Sequence, residues 1–386
     1  MKDLSIYFDP IDTDFNQFVK ESIGDRVVAH TPDDFPEIKN GGAALLFIPE
    51  YRGTQISEQK SSDFFRSKLY ELFEGVNWSN TFYDLGTIQP GESIADTRYA
   101  LAQVCEELMK KSIVPIVIGG GQDLTKAMYD AYKPLEQMVN LTTIDAAFDI
   151  GDIDTEMHAH GWLTHILLDK QCYLFNYSNL GAQGHYLSKS VLDLFDKLYF
   201  DTNRLGTLSE NIALAEPVLR NTDLCSFDLS AIRYSDFKSG LEVLPNGFFA
   251  NEACQLARYA GISDKLTAFG MFNNDFSKED EASAAIIAQL IWYFLDGLNN
   301  RKGDYPIANK KNYKKYRVST EDFKEEIIFY KSDKSARWWM EVPYPDSRGG
   351  KYQRHQLVPC SYEEYQETMA GEIPDLWWKT YQKMVV

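Results

Sequence analysis

Three near-continuous apolar runs, 114–118, 139–144 and 224–227, each lead into a turn that carries a carboxylate. The turns are Gly119-Gly120-Gly121-Gln122-Asp123, Asp145-Ala146-Ala147-Phe148-Asp149 and Ser226-Phe227-Asp228-Leu229-Ser230. Short apolar runs of this kind suit strands buried on both faces, which occur in parallel sheets covered by helices. Helical periods lie between them. Residues 96–110 carry Leu101, Val104, Cys105 and Leu108 on one face, 123–132 follow the first turn, and 281–298 carry a stripe from Ala284 to Leu298. Further strands are expected at 43–48, 172–177, 197–200 and 266–271. The alternation predicts a three-layer αβα architecture with a mostly parallel central sheet. Sites in such sheets lie at the carboxyl ends of the strands, where all three turns fall.

Beyond about residue 301 the character changes. Residues 310–315 are basic and polar, like a connector, while 326–330 and 337–342 alternate like a hairpin around 332–335. The chain therefore divides into an α/β domain, 1–305, and a C-terminal extension, 306–386, which holds the pairs Trp338-Trp339 and Trp377-Trp378. These tryptophans either pin the extension to the main domain or offer an anchor to a protein partner. Because side chains alternate along a strand, Trp338-Trp339 is expected to give one ring to a core and leave the other available.

With 39 basic and 57 acidic residues the net charge is -18, which argues against nucleic acid and anionic membrane surfaces as partners. The five cysteines are scattered without CxxC pairing, as in a reducing compartment. Residues 1–20 lack a basic start and an apolar core, and no apolar stretch nears the roughly 18 residues of a membrane span. The expectation is a cytoplasmic chain without a membrane span. A small-molecule ligand and self-association into a homo-oligomer both stay open.

In order and spacing the three turns resemble the signatures GGDHS, DAHxD and SxDxD of the ureohydrolase superfamily (arginases, agmatinases and formimidoylglutamases), with the formimidoylglutamases nearest. Asn246-Gly247-Phe248-Phe249-Ala250-Asn251-Glu252 resembles the GLTxxE segment of that family. Phe272-Asn273-Asn274-Asp275 and Glu281-Ala282-Ser283-Ala284 resemble the segments that open its last helix. The similarity runs over about residues 40 to 300 and leaves the extension unmatched.

The resemblance implies an arginase-like fold with a site for two manganese ions, and three of its ligands are retained: Asp145, Asp149 and Asp228. Gln122 and Ala147 stand in place of two histidines, and Ser230 in place of the last aspartate. One ion would keep three carboxylates and a weak amide ligand, Gln122; the other would keep only the bridging carboxylates. No cofactor is therefore expected, or at most a single divalent ion such as manganese. By the same resemblance Glu252, Ser178 and Asn179 are substrate-pocket candidates. His165 matches a proton-shuttling histidine or is a core or surface residue. His158 and His160 either supply a replacement ligand or sit exposed in a loop. Arg233 and Lys126 are candidates to neutralise the carboxylates, unless one carboxyl holds a proton. Two functions follow. One is a non-catalytic protein that acts by binding, as a scaffold, regulator or small-molecule sensor. The other is a divergent formimidoylglutamase-like hydrolase of linear amidines with one ion or a rearranged site.

Overall fold

A computed structural model describes residues 4–54, 63–306, 310–319, 326–344 and 352–385. Its main sheet contains β1 (Phe8–Asp9), β2 (Val28–Ala29), β3 (Ala43–Ile48), β4 (Phe82–Ile88) and β5 (Val114–Gly119). It continues with β6 (Val139–Ile144), β7 (Leu174–Ala182), β8 (Asp201–Arg204), β9 (Leu224–Asp228) and β10 (Ala268–Phe272). The order is β1-β4-β3-β5-β10-β9-β6-β7-β8, with β2 also on β4. Only the β1–β4 pair is antiparallel. Every residue of β3, β5, β6, β9 and β10 is buried, because one apolar core fills each face of the sheet. The expected αβα layering is observed.

Helices begin where side chains can satisfy free amides. Ser93 and Asp96 form a reciprocal capping box at the start of Ile94–Lys110, and Asp280 accepts from the Ser283 amide at the start of Glu281–Asn299. The long Glu281–Asn299 helix packs against Ala250–Gly261 on one face of the sheet.

Several elements depart from expectation. β4 was not anticipated, because Asp84 and Gly86 interrupt its apolar pattern. Asp84 is nevertheless fully buried, receiving Arg66 Nε at 2.9 Å and the Tyr70 hydroxyl at 2.8 Å. Residues 197–200 form no strand. They close the Lys189–Lys197 helix and turn through Tyr199 at φ 56°, so pairing begins only at Asp201. β7 starts later than expected and runs through Gly181.

The extension builds its own antiparallel sheet: β11 (Tyr313–Val318), β12 (Ile327–Ser332), β13 (Trp338–Glu341) and β14 (Leu357–Cys360), in that order. The second half of the basic stretch at 310–315 thus belongs to an edge strand, where exposed lysines discourage further pairing. Both Trp338 and Trp339 are buried, against the expectation that one ring would stay available. The sheet is covered on both faces. Trp338 stacks on Tyr365 of the helix Tyr362–Met369, while Trp339 lies under the Arg220 guanidinium of the main domain at 4.6 Å. Of the second pair, Trp377 is buried and donates to the Glu341 carbonyl at 2.9 Å, and Trp378 is 44% exposed. Among the described residues no helix is long and apolar enough to cross a membrane.

Candidate functional site

β5, β10, β9 and β6 are adjacent, so their carboxyl ends bring four segments to one place. β5 leads into the glycine turn, where Gly120 is obligatory. A Cβ there would sit 2.2 Å from the Glu50 carbonyl oxygen. Gln122 follows, fully buried. Its amide nitrogen donates to Ser226 Oγ at 3.2 Å, and its backbone N–H donates to Asn273 Oδ1 at 3.0 Å. Asn273 comes from the end of β10 in a left-handed conformation, φ 58°. Its Nδ2 donates to Asp228 Oδ2 at 2.9 Å and lies 3.4 Å from Gln122 Oε1. One carboxamide thus joins Gln122 to Asp228.

Asp145, Asp149 and Asp228 are all buried and close enough for their charges to interact. Each also has its own protein donor. The Ala147 amide donates to Asp145 Oδ1 at 2.9 Å, and Trp162 Nε1 to Asp149 Oδ2 at 2.6 Å. Besides Asn273, the Ser230 amide donates to Asp228 Oδ1 at 2.7 Å. Burial raises the pKa of all three first of all. The neighbouring carboxylates then push Asp145 and Asp149 well above the usual range, and Asp228 is pushed up to about 6. The Asp149 charge beside it is the second cause of the rise at Asp145, after burial, which favours a proton on that carboxyl.

At the mouth, His160 Nδ1 lies 3.9 Å from Asp149 Oδ1 and its Nε2 lies 3.5 Å from Glu242 Oε1. Glu242 escaped the sequence reading. Its only local signal is an acidic residue in the Gly240–Pro245 loop that follows the Asp228 strand. Its amide donates to the Ser230 hydroxyl at 3.2 Å, which ties that loop to the site. Among the described residues, no group of three or more His, Cys, Asp and Glu side chains is disposed to hold a metal ion.

The other sequence candidates lie elsewhere. Lys126 pairs with Asp130 one helical turn on, at 2.7 Å, and with Asp169 at 3.4 Å. Arg233 pairs with Asp236 at 2.7 Å and lies on the Phe249 ring, so neither cation neutralises the carboxylates. His165 is half-buried, its pKa lowered by burial and by the positive charges of Lys126 and Arg98, and Trp162 of the same short helix takes the bond to Asp149. Glu252 turns back to accept from the Phe249 amide at 2.8 Å and caps its helix. Ser178, at the middle of β7, turns away from the site and donates to Asp201 of the neighbouring strand. Asn179 braces the site from below, donating to the Asp145 and Ala147 carbonyls at 3.2 and 3.0 Å. His158 stays in the loop, its Nδ1 facing the His160 amide.

The sequence model of the arginase family matches residues 57–295, more than half of the chain. The chain belongs to the arginase family. This arginase-family chain is 30% identical over 139 residues to the formimidoylglutamase of Streptococcus gordonii, a match over 34% of this chain and 41% of that protein. It thus spans less than half of that relative's length. Its fold is similar to the manganese-containing formiminoglutamase of Trypanosoma cruzi, with a TM-score of 0.60 and 16% identity over 69% of this chain and 97% of that one. For the formimidoylglutamase of Bacillus subtilis the TM-score is 0.63 at 16% identity, over 72% and 92%. For the arginase of Bacillus subtilis it is 0.55 at 14%, over 66% and 98%. The second sheet lies outside the matched residues.

Proposed function

We propose that this arginase-family chain acts by binding rather than by hydrolysis, and that its carboxylate cluster is held by protein donors instead of a manganese pair. The observation that carries this is the Asn273 bridge. An ion shared by Gln122 and Asp228 would need the oxygens of both, but Asn273 Nδ2–H points at Asp228 and lies against Gln122. Trp162 Nε1–H does the same to Asp149. Both donors direct partial positive charge at the oxygens a cation would use, so binding an ion would cost their hydrogen bonds as well as electrostatic repulsion. Ala147 and Ser230 offer no compensating ligand charge. The residues present do not fit the binuclear centre of the family, and without a bound ion nothing brings the pKa of water toward neutrality.

A second reading rests on His160 and Glu242. Their side chains lie beside Asp149 and could assemble a rearranged one-ion site for a formimidoylglutamase-like hydrolase. An assay with formiminoglutamate, arginine and agmatine in excess Mn²⁺ separates the two. Binding without chemistry gives background rates. Turnover that disappears in both Asp228→Asn and His160→Ala variants would establish the hydrolase.

A further inference from the structure

His355, in the turn that leads into β14, is 2% exposed and lies where the extension meets the main domain. Its ring stacks on Phe175 of β7, with the centroids 3.9 Å apart. Neither ring nitrogen has a hydrogen-bond partner among the described residues. The imidazole thus fills the place of an apolar ring while carrying one N–H donor and one acceptor that a phenyl would lack. Burying both unpaired weakens the docking of the extension.

The surroundings oppose the charged form. Three cations direct positive charge at the ring: Lys265 of the main domain, Arg354 of the same turn and Lys383 of the helix Asp375–Val385. The carboxylates near them are already engaged. Asp223 meets Arg354 at 2.9 Å and Lys265 at 3.7 Å, and it accepts from the Asn140 amide. Asp201 meets Lys379 at 3.9 Å and accepts from Asn176 and Ser178, while Lys383 donates to Asn176. Tyr352 packs on Phe175 at 5.7 Å and adds an aromatic wall. Burial and the three cations together hold the His355 pKa well below its usual value. Burial also lowers Lys265 and Lys383 to about 8, so several groups of this interface resist protons.

We propose that His355 makes the docking of the extension sensitive to acid: the docked turn excludes a proton that the detached turn accepts. Above about pH 6.5 the ring is neutral in both forms, and docking keeps its full strength. Below that only the detached ring gains a proton, so the detached form gains about tenfold for each further pH unit. Asp145, Asp149 and Asp228 act in the opposite direction and hold the main domain more firmly in acid. Mild acid therefore loosens the extension before the sheet beneath it, uncovering the surface around Phe175 and Arg220. The proposal is independent of whether the carboxylate cluster binds or hydrolyses.

Hydrogen–deuterium exchange of the full chain, read by mass spectrometry from about pH 7.5 to about pH 5, reports such local opening. Protection of β13 and β14, corrected for the intrinsic pH dependence of exchange, is compared between the wild-type chain and His355→Phe. Asp264 at the junction, whose pKa burial raises, adds a pH dependence of its own. It acts on both chains alike, so the ratio of their protection isolates position 355. The ratio of wild type to variant is expected to fall about 30-fold by about pH 5, with no such fall in β5 and β6. His355→Leu carries the same expectation and decides if the phenylalanine variant does not fold. A ratio that stays constant with pH, or one that falls equally in β5 and β6, would overturn the proposal.

Discussion

Asp149 sits between a fixed donor, Trp162 Nε1–H, and another carboxyl, Asp145. An asparagine in its place could still accept from Trp162, and it would carry no charge to repel Asp145 or to be stranded by burial. The sign of the pH effect follows. Burial raises all three carboxyl pKa values above the 3.8 of a free side chain, so the folded chain holds protons that the unfolded chain releases. Stability from this cluster is therefore greatest in acid and is lost as pH rises, for Asp228 between about 4 and about 6. Asp149→Asn should raise stability at pH 8 by about 1–3 kcal/mol, change it little at pH 4, and flatten the slope between. Denaturant melts across that range check it. A loss of stability at pH 8 would mean that the carboxylate is paired with a cation.

At the scale of elements, Arg220 is the bolt between the two sheets. It is buried, donates to the carbonyls of Trp338 and Cys360 at 2.9 and 3.1 Å, pairs with Glu216 at 3.1 Å and covers Trp339. Arg220→Ala strands two carbonyls and leaves Glu216 with Arg337 alone, at 3.1 Å, so a loss of about 3 kcal/mol is expected, with faster proteolysis of the extension. An unchanged melt would show that the sheets dock by other means. A chain ending at residue 305 would expose the main-domain surface around Phe175 and Arg220. It should aggregate or melt well below the full chain by differential scanning fluorimetry; a stable, soluble truncation would contradict this. The hairpin within the extension was legible because its alternation is local. The coverage of both its faces was not, since Arg220 lies 118 residues away from the Trp338 carbonyl it bonds.

The whole molecule repeats that division. The αβα layering could be read from apolar runs and helical stripes, which are local patterns. The strand-end positions of Asp145, Asp149 and Asp228 followed from the same runs. What could not be read was which groups answer those carboxylates. Asn273 reaches the site because β10 inserts between β5 and β9, and Trp162 because a loop folds back over Asp149. Lys126 and Arg233, close to the turns in sequence, find partners on their own segments instead. The central claim is that protein donors and retained protons, rather than manganese, balance these carboxylates. Metal content answers it most directly. The full chain is equilibrated with excess Mn²⁺, freed of unbound ion by desalting and measured by inductively coupled plasma mass spectrometry. The account predicts far less than one manganese per chain, with no rise in melting temperature on adding the ion. Two tightly held ions per chain would contradict it outright, and one ion lost in the His160→Ala variant would establish the rearranged site instead.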